Sequence, residues 1–133
     1  MDELKKFIPK NKFDVVSVSE LSKYEYSFYK PILGNLFEWI QDINWPVAKV
    51  IIPLLIKAEK DIIPYVKDIL NSNDSIWKYW VISQVVDGMD SIVKKTILIE
   101  LKEDFESIID NPTIEDKSEE LDILITNLMN SIC

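Results

Sequence analysis

The residue types able to do chemistry here are carboxylates, tryptophans and one lysine set between aromatics. Glu38 and Asp42 are a conceivable acid pair for general acid–base work, a pattern any acidic helical chain offers by chance. Asp42, Asn44 and Asp74 can line a polar edge, or cap the helices that follow them. The interval before each helix favours capping. Trp45 and Trp77 are either exposed anchors for a partner or packing residues between helices, and packing is the commoner use. Lys78, between Trp77 and Tyr79, is expected to lay its stem on apolar surface and keep its ammonium in water. Glu115, Asp116, Glu119, Glu120 and Asp122 can receive a basic partner or a cation, or form a solvated helix face. They lack the spacing and glycine of a calcium loop.

The missing residue types exclude more than the present ones permit. The chain has no histidine and no arginine; its fifteen basic residues are all lysine. Imidazole bases, Ser-His-Asp and Cys-His pairs, histidine-ligated metals and guanidinium clamps on phosphate are therefore absent. No catalytic residue, metal site or cofactor is expected. A formal net charge of −8 opposes nucleic-acid binding. The excess is one-sided: residues 1–60 carry nine lysines and eight acids, residues 61–133 six lysines and fifteen acids. One cysteine, Cys133, permits no internal disulfide and reads as a frayed end in a reducing compartment. The start Met1-Asp2-Glu3-Leu4-Lys5-Lys6 has no secretory pattern. The most apolar stretch, Val47 to Ala58, falls short of the roughly 20 residues a membrane span needs. A cytoplasmic, non-membrane protein is the expectation.

These residues must be held by helices. Apolar positions at three- and four-residue spacings predict helices from about 29 to 41, 46–57, 61–70, 75–86, 90–109 and 113–132, with a short helix near 2–8 and another from Asp14 to about Leu21. Ser17 and Glu20 offer an alternative capping-box start for that early helix. Residues 23–28 are expected as a loop. The stretches 46–57 and 75–86 are apolar nearly all round and should be buried, with Pro53 kinking or ending the first. Asp61 and Asp90 are expected caps, and Thr113 with Asp116 resembles a capping box.

Asp42-x-x-Trp45 returns as Asp74-x-x-Trp77 thirty-two residues later, each opening an apolar helix after an amphipathic one. That period suits stacked helix pairs, in which no pair can bury its inner helix alone. The expected architecture is all-α: antiparallel helix pairs of the HEAT/armadillo kind, about six to seven helices in one domain. Its parts are N-terminal helices at 1–28, a first pair at 29–58, a second at 59–87 and a capping pair at 88–133.

The strings Ile8-Pro9-Lys10-Asn11-Lys12-Phe13-Asp14, Trp39-Ile40-Gln41-Asp42-Ile43-Asn44-Trp45-Pro46-Val47-Ala48 and Ile76-Trp77-Lys78-Tyr79-Trp80 resemble signatures of a small bacterial family of unknown function. The resemblance spans nearly the whole chain; Asn11 departs from it, standing where an acid belongs. It implies a HEAT-like fold and cytoplasmic placement, and no mechanism.

Three functions follow as expectations. The first is a non-catalytic protein-interaction module whose partner has a basic surface. A narrower form is an immunity protein neutralising a basic toxin. The rival is a carboxylate-based hydrolase or small-ligand binder, which needs a deep pocket where two acids converge with raised pKa. The oligomeric state is not legible.

Overall fold

The computed structural model describes residues 2–132, so the expectation for Cys133 lies outside them. Every regular element among the described residues is helical, and there is no strand. The chain forms two compact units, Met1–Ile62 and Ile63–Cys133. The charge divides with them. The first carries nine lysines and nine acids, the second six lysines and fourteen acids, so the whole net −8 belongs to the second.

The first unit contains α1 (Asp2–Lys5), α2 (Val15–Ser19), α3 (Tyr26–Tyr29), α4 (Leu33–Phe37) and α5 (Pro46–Ile56). Tighter 3-10 turns follow α2 (Glu20–Lys23), α3 (Lys30–Ile32) and α4 (Glu38–Ile40), and a fourth spans Glu59–Ile62. Asp14 starts α2 by accepting from the Ser17 amide at 3.3 Å, which decides against the Ser17–Glu20 alternative. Its carboxyl lies below its ordinary value because the Lys10 amide and the Ser17 hydroxyl and amide stabilise the charged form. Helix α3 begins within the stretch expected as a loop.

Helix α5 packs against α2, α4 and the 38–40 turn. Val47, Ala48, Ile51, Leu54 and Leu55 are buried, but Lys49, Pro53 and Lys57 form an exposed stripe. Burial all round is thus corrected to burial on most of the surface. Of the two outcomes open at Pro53, a kink or an end, the end does not occur, since the helix continues to Ile56. The reason is placement: the carbonyl Pro53 leaves without a donor is that of Lys49, on the exposed face where water can reach it. At its N-terminus the Val47 amide donates to the Lys12 carbonyl at 3.2 Å, and at its C-terminus the Tyr29 hydroxyl donates to the Leu54 carbonyl at 2.7 Å. Each bond satisfies a group that a helix end leaves without an internal partner.

The second unit contains α6 (Ile63–Leu70), α7 (Ser75–Trp80), a wider π-helical turn (Val81–Val86), α8 (Ser91–Glu100), α9 (Lys102–Asp110), α10 (Ile114–Ser118) and α11 (Leu121–Asn130). Helix α11 packs against α9, α7 and the π turn, and α6 packs against α7 and α9. The core holds Val66, Ile69, Val81, Ile82, Val85, Val86, Ile97, Leu101, Phe105, Ile108, Leu121, Ile125 and Leu128. Asp104 joins α9 to α6, accepting from Lys67 at 3.2 Å and from the Asn71 side chain at 2.9 Å. Asp90 caps α8 through the Val93 amide at 3.0 Å.

Among the described residues eleven α-helices stand where about six to seven are expected. Except for α3, which lies mostly in the expected loop, the extra ones are fragments of expected rods. The 29–41 rod is cut by 3-10 turns, and the 90–109 rod breaks at buried Leu101 (φ −107°, ψ 21°). The 113–132 rod breaks at Glu120 (φ 57°, ψ 36°), a left-handed backbone. No helix among the described residues is long and apolar enough to cross a membrane.

Two predictions test this packing. Burial raises the Tyr29 phenol to about 12, so its contribution is complete below pH 10 and lost as pH rises through about 12. Tyr29→Phe is expected to lose about 1–2 kcal/mol in urea denaturation at neutral pH and to flatten that alkaline fall. The Ser83 hydroxyl oxygen in the π turn is buried without a hydrogen-bond partner among the described residues. Ser83→Ala should therefore be neutral, or stabilising by up to about 1 kcal/mol, by the same measurement.

Candidate functional site

The second unit holds a groove of about 600 Å³ between two helix faces. One wall is Ile76, Tyr79 and Trp80, residues three and four apart on α7. The other is Glu120, Ile123, Leu124 and Asn127, on one face at the start of α11, with Ser118 and Glu119 at the end of α10. The adjoining face of α11 sends Leu121, Ile125 and Leu128 into the core. Tyr79 and Trp80 meet edge to face, ring centres 5.2 Å apart. Ile76 and Ile123 are 49% and 52% exposed, so the groove is open along its walls. Its rim is acidic: Glu119 is half-buried and Glu120 exposed.

A buried polar clasp fixes the walls. Asp74 caps α7 by accepting from the Trp77 amide at 3.0 Å. The next turn presents Ser75 and Lys78, three residues apart on one side, and both reach Asp116 of α10. The Ser75 hydroxyl donates to Asp116 Oδ1 at 2.6 Å, and Lys78 Nζ lies 3.4 Å from the same oxygen. Asp116 Oδ2 accepts from the Thr113 amide at 3.1 Å, while the Asp116 amide donates to the Thr113 hydroxyl at 3.0 Å, a complete capping box. Ser75, Lys78 and Asp116 are only 2%, 4% and 2% exposed. Burial alone pushes the Asp116 carboxyl up, but the Ser75 hydroxyl, the Thr113 amide and the Lys78 charge outweigh it. The group sits below its ordinary 3.8.

The clasp corrects two expectations. Lys78 does not keep its ammonium in water; an internal carboxylate compensates it. Asp116 is not part of a solvated face. Glu115 is exposed, in agreement with that face, and Asp122 pairs with Lys117 at 3.2 Å. Glu119 and Glu120 alone of the singled-out acids line the groove. Among the described residues no three acids gather as a metal site.

The two tetrapeptides of the repeat have different roles. Asp74 is a helix cap, whereas Asp42 accepts from the Asn44 amide at 2.8 Å in a local turn, and Trp45 stands at the cap position of α5. Capping by Asp42 and Asn44 is therefore corrected: α5 takes its N-terminal bond from the Lys12 carbonyl instead. Trp45 is half-buried and packs on Trp39, ring centres 5.9 Å apart; Trp77 is half-buried on α7. Glu38, Asp42, Asn44 and Trp45 belong to the first unit, and Asp74, Trp77, Lys78 and the acids from Glu115 to Asp122 to the second. Glu38 lies in a 3-10 turn and Asp42 beyond it, so no α-helical face pairs them.

Ile76, Tyr79, Trp80, Ile123, Leu124 and Asn127 were not foreseen as lining residues. Ile123 carries a readable signal, an apolar residue off the core stripe of its helix. Ile76 and Trp80 carry none, because an apolar run does not show which side is left open.

Fold and site together define an all-helical protein with an acid-rimmed apolar groove braced by a buried ion pair. The chain belongs to the family described as a domain of unknown function (DUF5071), which matches residues 7–129. No curated protein matches it.

Removing one partner of a buried ion pair leaves an uncompensated charge. Asp116→Ala is thus expected to cost about 3–5 kcal/mol in urea denaturation, and Lys78→Met/Asp116→Leu to recover much of it. Because the Asp116 pKa is lowered on folding, its contribution is present above pH 3.8 and lost as pH falls through the lower folded value. The double variant should fall less steeply with acid.

Proposed function

We propose that the protein is a non-catalytic, HEAT-like protein-interaction module, a single helical-repeat domain that binds a partner with a basic surface through the second-unit groove. The observation that carries this reading is the groove's make-up: an aromatic and aliphatic floor, open to solvent, with Glu119 and Glu120 at its rim in the unit that holds the net negative charge. Apolar anchors supply affinity when desolvated, and a complementary rim steers the partner and sets specificity. The thirty-two-residue recurrence and the all-helical elements support the repeat reading. The lack of histidine and arginine supports the non-catalytic one.

The hydrolase alternative needs a carboxyl held above its usual range in a pocket. The deeply buried carboxyl here, Asp116, is held below it and is occupied by Ser75, Lys78 and Thr113. The immunity-protein form of the proposal draws on the same concentration of charge, and a toxin-like reading frame beside this gene is what it requires.

Native co-purification at low salt, with wild type and Ile123→Lys in parallel, tests the proposal. Ile123 is half exposed, so the substitution should leave folding intact. A stoichiometric partner is expected on wild type, released by salt and lost on the variant. Equal retention by both, or no partner on wild type, contradicts it. Glu120→Gly adds a second reading. It relieves a left-handed backbone on a residue with a Cβ, so stability should rise by about 0.5–1 kcal/mol while partner retention falls.

A further inference from the structure

We infer that the groove receives an amphipathic, lysine- or arginine-bearing helix of the partner protein, and not an extended segment or a second copy of this chain. The inference rests on the groove being the contact surface. It begins from the walls' backbones. Both walls are chiefly helical, and beyond their first turns their N–H and C=O groups are committed to their own ladders. Among the described residues there is no strand edge at which an extended peptide could be paired. An extended segment pressed onto Tyr79, Trp80, Ile123 and Leu124 would bury backbone groups with nothing to satisfy them. A helix arrives with its backbone already bonded and offers only side chains.

The spacing of the walls agrees. Glu120, Ile123, Leu124 and Asn127 repeat at i, i+3, i+4 and i+7, about two turns of α11, and Ile76 and Trp80 repeat at i, i+4 across from them. A partner helix with apolar side chains at the same intervals presents matching knobs over the same length. The sign of the partner follows from charge. The second unit carries six lysines and fourteen acids, with Glu119 and Glu120 at the rim. A second copy would bring the same negative charge against itself, whereas lysines or arginines flanking the apolar stripe would meet the two glutamates.

The test uses the full chain and three synthetic peptides of equal length, about five turns when helical. The first has leucines at i, i+3, i+4 and i+7 with lysines elsewhere. The second has the same composition in strict leucine–lysine alternation. The third is the first with glutamate for lysine. Titration is followed by tryptophan emission, since Trp80 lies in the groove, alongside sedimentation of the protein alone. The helical basic peptide is expected to bind at least about tenfold more tightly than the alternating one, to weaken as salt rises, and to lose affinity to Ile123→Lys. The acidic peptide is expected not to bind. Equal affinity for the alternating peptide overturns the helix while leaving the groove as a contact surface. Undiminished binding of the helical peptide to Ile123→Lys overturns the groove reading itself. No binding of the helical peptide, or a self-dimer abolished by Ile123→Lys, overturns the inferred occupant.

Discussion

The carboxylate of Asp116 and the ammonium of Lys78, sealed from solvent 3.4 Å apart, are the constraint on which the second unit depends. Neither charge is tolerable alone at that depth, and their mutual attraction offsets desolvation only because Ser75 and Thr113 supply further hydrogen bonds. The geometric consequence exceeds the energetic one. Lys78 and Ser75 belong to α7, Asp116 and Thr113 to the start of α10, and the groove lies between α7 and the α10–α11 corner. A pair of apolar residues in place of the ions would bury comparable surface without fixing how the two helices are turned. The direction in which Ile76, Tyr79 and Trp80 face Ile123 and Leu124 follows from three polar groups, the Ser75 hydroxyl, the Lys78 ammonium and the Thr113 amide, meeting at one carboxylate.

Most of the helical content is legible in residue spacing, because a one-sided apolar stripe has few other uses. Caps are legible where the side chain acts locally, as Asp14, Asp74, Asp90 and Thr113 do. The breaks are not. Glycine is the usual mark of a left-handed turn, yet the positive-φ residues among those described are Glu59 and Glu120, and neither glycine is one of them. Leu101 interrupts a helix although leucine is a good helix former. These conformations are imposed by packing, which can outweigh a local preference of under about 1 kcal/mol per residue. The matched Asp-x-x-Trp strings show the converse: similar residues support different local structures because their flanking chains end differently.

The site was half legible. Glu119 and Glu120 stand out by charge, and Trp77 and Lys78 by composition. The clasp was invisible because its partners lie 41 and 38 residues apart, and no local rule joins a serine and a lysine on one helix to a capping-box aspartate on another. Lys78 shows why a lysine flanked by aromatics is ambiguous. The same long stem can lift its charge into water or carry it to an internal carboxylate, and only the fold selects. The groove follows from that selection. With Lys78 turned inward, the next residues of α7, Tyr79 and Trp80, are left facing the groove.

The most direct test of this account is amide hydrogen exchange on Asp116→Asn. This variant keeps the side-chain shape and removes the charge that compensates Lys78. If the clasp sets the groove, protection should fall together at 75–86, 114–118 and 121–130, both walls opening as one unit. Loss of protection confined to the capping box at 113–117, with 75–86 and 121–130 unchanged, would show that the walls hold without the ion pair and would contradict the central claim.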